Sequence, residues 1–478
     1  MTRAQGHTDG VTRLATAAVL AGTALLLALH AAGWLGAAVA VARVDVWYVP
    51  RAQSAIVLAL GLWLLRAAAA PRHVRRAVVL GTLGLCAATF LLAPLPERFA
   101  GQVIMPGGVD TAATRATFEA RFTAGSVNFH SHLGDVLMLA LDRWFGGTLT
   151  SAAAAYGLVS RLAGWLFLLE LAVAAAWHGW SRQACRYVAL AVSLPLSVLF
   201  FGYWELGYLA VAAGVVPLLA LARRPGRTRC AAGRAAPHVT GTAPGRVSSD
   251  ATRGGAKGAS RDASSDDSVP MLAAGFLQGL HTAFHGFGLL GLAGGTLAAA
   301  AGHGAVRQRV VRALTFASAG VALYLGWVFL YITVAGWSVQ WTRELGYRPL
   351  VAALEFDHRL AVPLLSMNGL AEFGVFSALA GVPLLALAYA TAPRARLVPA
   401  VLYGLPGLVF LIRWWPVSAP FNLDLLLSVF PGVFAALWAL APSRRVAWMA
   451  FAFCVGLHAL MWTVVGNAMF NRALLGGL

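Results

Sequence analysis

The densest run of ligand-type side chains in this sequence is Asn128-Phe129-His130-Ser131-His132 with Asp135, two histidines and a carboxylate within six residues. Such a set could hold a divalent cation. His130 and His132 also precede an expected helix, where Asn, Ser and His commonly act as caps. Asp110 lies upstream in the same segment. Asp45, in Arg43-Val44-Asp45-Val46-Trp47-Tyr48, is a loop carboxylate that could be a general base or a metal ligand. It could equally pair with Arg43 or Arg51.

Three further clusters carry binding chemistry. Phe200-Phe201-Gly202-Tyr203-Trp204-Glu205 stands where one apolar run ends and the next begins. Glu205 at such a depth is costly unless it is paired or functional. Glu355, Asp357, His358, Arg359 and Asn368 mix charge signs in a way that suits a phosphate or a set of sugar hydroxyls, and equally suits an interfacial ion-pair network. In Arg413-Trp414-Trp415-Pro416 the arginine could grip a lipid-linked phosphate bidentately while the tryptophans pack on sugar or isoprenoid, or the group could anchor a helix end. Phe421-Asn422-Leu423-Asp424 follows it, and both are read as one external connection. Glu170, His281, His285 and Glu372 fall inside apolar runs, and helix packing is the simpler reading of Glu170.

The elements that must position these residues are set by composition. With 59% hydrophobic and 11% charged residues, the chain has too many apolar side chains to hide in one water-soluble core. A polytopic, all-α transmembrane bundle is expected. Apolar runs near the required ~20 residues cover 14–42, 50–70, 76–95, 150–177, 187–205, 207–222, 312–335, 361–391, 396–413, 422–441 and 446–466. The first run is too long for the core of a cleaved signal and reads as a span. Between 270 and 301 a glycine-rich apolar stretch reads as a hairpin of two short helices. Three regions follow: a transmembrane module over 1–222 with an external, partly helical loop at 97–149, a basic disordered linker at 223–269, and a second transmembrane module over 270–478.

The net charge of +18 comes from arginines in short connections, which argues for membrane sidedness and against nucleic acid as a partner. Arg72, Arg75, Arg76, Arg182, Arg186, Arg307, Arg309, Arg394, Arg396, Arg444 and Arg445 all fall on one face if the hairpin starts and ends there. That face is the cytosol, with the N-terminus inside, the C-terminus outside and the plasma membrane as location. Asp45, Asp110, Asp135, Glu205 and Asp424 then face outward. Cys86, Cys185, Cys230 and Cys454 show neither a disulfide framework nor metal spacing.

In this order, the motifs resemble the GT-C class of membrane glycosyltransferases, particularly its uncharacterised bacterial relatives. Asp45 is similar to that family's acidic residue in the first external loop. The 97–149 segment resembles its external segment, Phe201-Gly202-Tyr203-Trp204-Glu205 its Phe-Gly-Tyr-x-Glu element, and Leu280-His281 its hairpin histidine. Asn422-Leu423-Asp424-Leu425 is similar to its late Asp-Trp-Asp-Leu element, with Asn422 replacing the first aspartate. The first loop lacks the family's paired acids, so a divalent cation stays open. The resemblance implies transfer of a sugar from a polyprenyl-phosphate donor to an acceptor at the outer face. Asp45 would be the base, and Arg413 or Arg359 would hold the lipid phosphate. Glu205, Tyr203, His130, His132, Asp110, Asp135, Asn368 and Asp424 would line the substrate cavity. A secondary transporter using Glu170, Glu372 and the histidines, or an inactive scaffold, are the alternatives.

Overall fold

The computed structural model describes residues 48–91, 126–127, 152–195, 207–221, 268–284, 288–302, 304–335, 338–339, 381–418 and 428–460. The fold is all-helical, with α1 (Tyr48–Ala67), α2 (Arg72–Leu91), α3 (Ala152–Trp177), α4 (Arg182–Val192), α5 (Gly207–Leu221) and α6 (Ser268–Phe284). After these come α7 (Gly288–Ala300), α8 (Val306–Ala335), α9 (Val382–Thr391), α10 (Arg394–Ser418), α11 (Phe430–Leu440) and α12 (Arg444–Leu460). The strands β1 (Ser126–Val127) and β2 (Ser338–Val339) are two residues each and pair in parallel, Ser126 with Ser338 and Val127 with Val339. By length and composition one helix among the described residues, α8 over Val306–Phe329, could cross a membrane; shorter apolar helices cover Gln53–Ala67, Gly164–Trp177, Gly288–Ala300, Val382–Thr391 and Phe430–Leu440.

Local chemistry sets the helix ends. Ser181 caps α4, its Oγ accepting from the Ala184 amide at 3.2 Å. At the other end Pro195 disfavours helical backbone at Leu194, so α4 stops at Val192 and the helix expected across 187–205 does not run through. The helix expected over 361–391 is likewise interrupted: Gly381 has φ +83°, a left-handed conformation that glycine tolerates, and α9 starts after it with Pro383 in its first turn. Pro431 occupies the same place in α11, which begins at Phe430 within the 422–441 run. The reading of Arg413-Trp414-Trp415-Pro416 as part of a connection is corrected: α10 carries them in helix through Ser418. Pro416 stands in the last turn of α10, where its missing backbone donor costs the helix one hydrogen bond.

Directions follow from contacts. Arg75 Nε donates to the Trp180 carbonyl at 2.6 Å and its Nη1 to that of Ala70, joining the α1–α2 and α3–α4 turns. Arg186 Nη1 donates to the carbonyls of Ala441 at 3.2 Å and Pro442 at 2.6 Å, adding the α11–α12 turn to the same end. His178 Nε2 donates to the Pro217 carbonyl at 2.8 Å, so α5 also finishes there. Gly404 backs onto Gly432 and Gly407 onto Ser428, making α10 antiparallel to α11 and bringing its Arg394 start to that end as well.

The two short helices expected over 270–301 are α6 and α7. Gly288 lies against Thr282, Gly291 against the Gln278 side chain, and both Gly275 and Gly295 against Phe316, which aligns the pair antiparallel beside α8. The main core runs through most helices, with Leu64, Leu171, Tyr187, Leu190, Phe316, Tyr403, Phe430 and Phe434 fully buried.

Candidate functional site

Asp45, Asp110, His130, His132, Asp135, Tyr203, Glu205, Arg359, Asn368 and Asp424 lie outside the described residues, as do His285 and Glu372. Of Arg413 only the helical backbone is described. The described residues do bring another polar group together, inside the bundle.

Its acid is Glu170, on α3 and 4% exposed. The carboxyl packs on Gly214 of α5, where a Cβ would come within 2.9 Å of both Glu170 Cβ and Oε2, so the site is shaped for glycine. The Gly214 backbone lies beside the carboxyl, and neither carboxyl oxygen has a hydrogen-bond partner among the described residues. A buried polar atom left in that condition costs about 1–3 kcal/mol. Tyr187 and Tyr403 are the titratable groups whose electrostatics register Glu170.

Each phenol has a defined partner. Pro217 has no amide hydrogen, so the carbonyl of Ala213, four residues earlier in α5, loses its helical donor. The Tyr187 hydroxyl supplies one at 2.6 Å. The Tyr187 ring stands edge-on to Trp438 of α11, with centroids 5.1 Å apart, and His178 packs on the same indole at 4.5 Å.

Tyr403 of α10 donates to Gln278 Oε1 at 2.8 Å. Gln278 Nε2 donates to the Gly288 carbonyl at 2.8 Å and lies 3.1 Å from His281 Nδ1. Both amide hydrogens and the amide oxygen are thereby used, and His281 Nδ1 acts as the acceptor. Thr282 Oγ1 donates to the Gln278 carbonyl at 2.9 Å. Gln278, His281, Thr282 and Tyr403 are all at most 1% exposed. This network closes the inner end of the α6–α7 hairpin and ties it to α10.

Chemically, the described residues offer a buried carboxyl within electrostatic range of two phenols, beside a network that engages the whole Gln278 amide and the Nδ1 of His281. Among the described residues no group of three His, Cys, Asp or Glu could hold a metal ion. The chain matches no known family model, curated protein or solved structure. Its functional reading therefore rests on its own residues.

In the sequence, Glu170 and His281 stand out as ionisable groups inside apolar runs, whereas Tyr187, Gln278 and Tyr403 do not. The local signal for one of them was present: Gln278 stands three residues before His281, on the same face of an apolar helix. Nothing local marks the tyrosines, whose partners lie 26 and 125 residues away in sequence.

Proposed function

We propose that this chain is a polytopic plasma-membrane glycosyltransferase of the GT-C kind, moving a sugar from a polyprenyl-phosphate donor to an acceptor at the extracytoplasmic face. One observation carries the reading. The helix ends that lead into the carboxylate-bearing segments, among them Tyr48, Leu91, Ala152, Gly207 and Ser418, belong to helices whose other ends gather at the arginine-bearing turns. An enzyme of this kind needs that separation, with basic residues retained in the cytosol and acids collected beyond the outer leaflet. The β1–β2 pairing adds to it, because it joins the segment holding His130 and His132 to the one that leads on to Arg359.

In this reading Asp45 takes the proton from an acceptor hydroxyl as its oxygen attacks the anomeric carbon with inversion. The polyprenyl phosphate leaves, its charge stabilised by Arg413 or Arg359. Glu205, Tyr203, His130, His132, Asp110, Asp135, Asn368 and Asp424 hold the sugar and the acceptor. A divalent cation is not assigned.

The test is transfer of radiolabelled sugar from polyprenyl phosphate in membranes expressing the wild-type chain or Asp45→Asn. Product from the wild type and at least a hundredfold less from the variant is expected; equal product from both dismisses Asp45 as the base. Cysteine labelling at positions 45 and 205 from the two sides of the membrane tests the threading separately.

A transporter is the second reading, favoured by one specific observation. Glu170 is a buried acid with no hydrogen-bond partner for either oxygen among the described residues, the usual mark of an ion pathway within a membrane bundle.

A further inference from the structure

Two kinds of arginine stand at the basic end of the bundle. The first kind fastens turns. Arg75 reaches carbonyls at the ends of the α1 and α3 turns, Arg186 reaches those after α11, and Arg309 Nε donates to the Ala300 carbonyl at the end of α7 at 2.6 Å. A cation at a helix C-terminus meets the negative end of the helix dipole and carbonyls that have no amide partner. These side chains are accounted for by the fold.

The second kind is not. Arg72, Arg182 and Arg444 are the first residues of α2, α4 and α12. Each sits at the positive end of a helix dipole, where a cation is disfavoured. None of the three helices carries an acid in its first turn to offset it. All three arginines are exposed, and among the described residues their side chains form no hydrogen bond or ion pair. Membrane sidedness explains why basic residues are at this end, but not why these converge.

They converge because the fastening arginines pull their turns together. Burial first, and after it the charges of Arg182 and Arg72, hold the Arg75 guanidinium below its ordinary proton affinity. Burial, then Arg182 and then Arg444 do the same to Arg186. Arg182 is thus within electrostatic reach of both, and the hydrogen bonds of Arg75 and Arg186 bring the three turns that carry Arg72, Arg182 and Arg444 to one place. No carboxylate of the described residues enters it. Arg72 leans over the α3–α4 turn, its Nη2 3.7 Å from where a Cβ on Gly179 would be, and Arg76 lies over the Trp180 ring at 5.9 Å.

We infer that Arg72, Arg182 and Arg444 form a binding site for the phosphate headgroup of an anionic phospholipid in the cytoplasmic leaflet. This rests on the membrane reading above. A phosphate oxygen can take paired N–H donors from a guanidinium, and its charge meets three helix N-termini of the favourable polarity. Charge complementarity selects the occupant. Basic pockets between helices on the cytoplasmic side take anionic headgroups, and acyl chains keep the ligand at the depth of these turns. Trp180, half-buried beside the guanidiniums, offers a ring against which a glycerol backbone can lie.

The experiment uses the full chain. Carbonate-washed membranes are assayed first: release of the protein from them would overturn the membrane reading itself. Protein retained there is purified in a neutral detergent, and its thermal stability is followed as phosphatidylglycerol, phosphatidylcholine or inorganic phosphate is added. Phosphatidylglycerol should raise the melting temperature at least twice as much as phosphatidylcholine. The triple variant Arg72→Gln/Arg182→Gln/Arg444→Gln should lose at least half of that shift. Arg394→Gln/Arg396→Gln, which removes two exposed arginines from the start of α10, should keep it. Four results would overturn the site: equal shifts with the two lipids, an undiminished shift in the triple variant, an equal loss in the α10 variant, or full reproduction by inorganic phosphate.

Discussion

The hydroxyl of Tyr187 donates to the carbonyl oxygen of Ala213 at 2.6 Å, and that carbonyl is the one Pro217 leaves without a helical donor. A side chain on α4 thus completes the backbone of α5. Tyr187→Phe should cost about 1–3 kcal/mol by stranding a buried carbonyl. Pro217→Ala restores the amide, and in that background the cost of Tyr187→Phe should fall by at least half. Thermal unfolding of the four proteins in detergent measures this; an unchanged cost would show that the phenol is not standing in for the missing amide.

Gly214 and Glu170 make a second pair. Gly214→Ala places a methyl group 2.9 Å from the Glu170 side chain, an overpacking that should cost about 1–3 kcal/mol. Glu170→Ala opens that space, so the double variant should recover most of the loss. Failure of the second change to suppress the first would mean that the helices separate instead of clashing.

The carboxyl of Glu170 has an expectation of its own. With neither oxygen partnered among the described residues, Glu170→Met should leave the protein at least as stable as wild type, because it removes a desolvated polar group while keeping an unbranched apolar stem. A clear loss of stability would reveal a partner for the carboxyl in the working protein.

The hairpin network predicts coupling. Tyr403→Phe should cost about 1–2 kcal/mol, as should Gln278→Leu. Because Tyr403 donates to the Gln278 amide, the double variant should cost less than the sum by about 1 kcal/mol. Strict additivity in the double-mutant cycle would separate α10 from the hairpin energetically.

Thiol chemistry checks the packing without assuming any function. Cys86, Cys185 and Cys454 are buried free thiols. Cys185 donates to the Leu64 carbonyl at 3.4 Å. Burial pushes its thiol up to about 12, opposed in part by Arg75 and Arg186, so it stays protonated and unreactive at pH 8. In a Cys230→Ser background, native protein should take up no maleimide at pH 8, and all three thiols should label after denaturation. Native labelling of Cys185 would mean that the arginine-fastened turns open.

Sequence alone made the helical character of the described residues legible, with most of their helix positions, because apolar run length and the prolines and glycines that punctuate it act within a few residues. Serine at position 181 and Pro71 before Arg72 mark helix starts through local hydrogen bonding and backbone geometry. The left-handed turn at Gly381 and the helical path through Arg413 were less legible, since an apolar run reads alike whether continuous or broken. The tertiary structure alone decided which polar groups meet. Glu170 with Gly214, Tyr187 with Ala213, and Tyr403 with Gln278 join different helices. The gathering of Arg72, Arg182 and Arg444 was hidden for the same reason. Periodicity tells which face of a helix is apolar, whereas the partner of a buried polar atom depends on how that helix packs in three dimensions, to within an ångström.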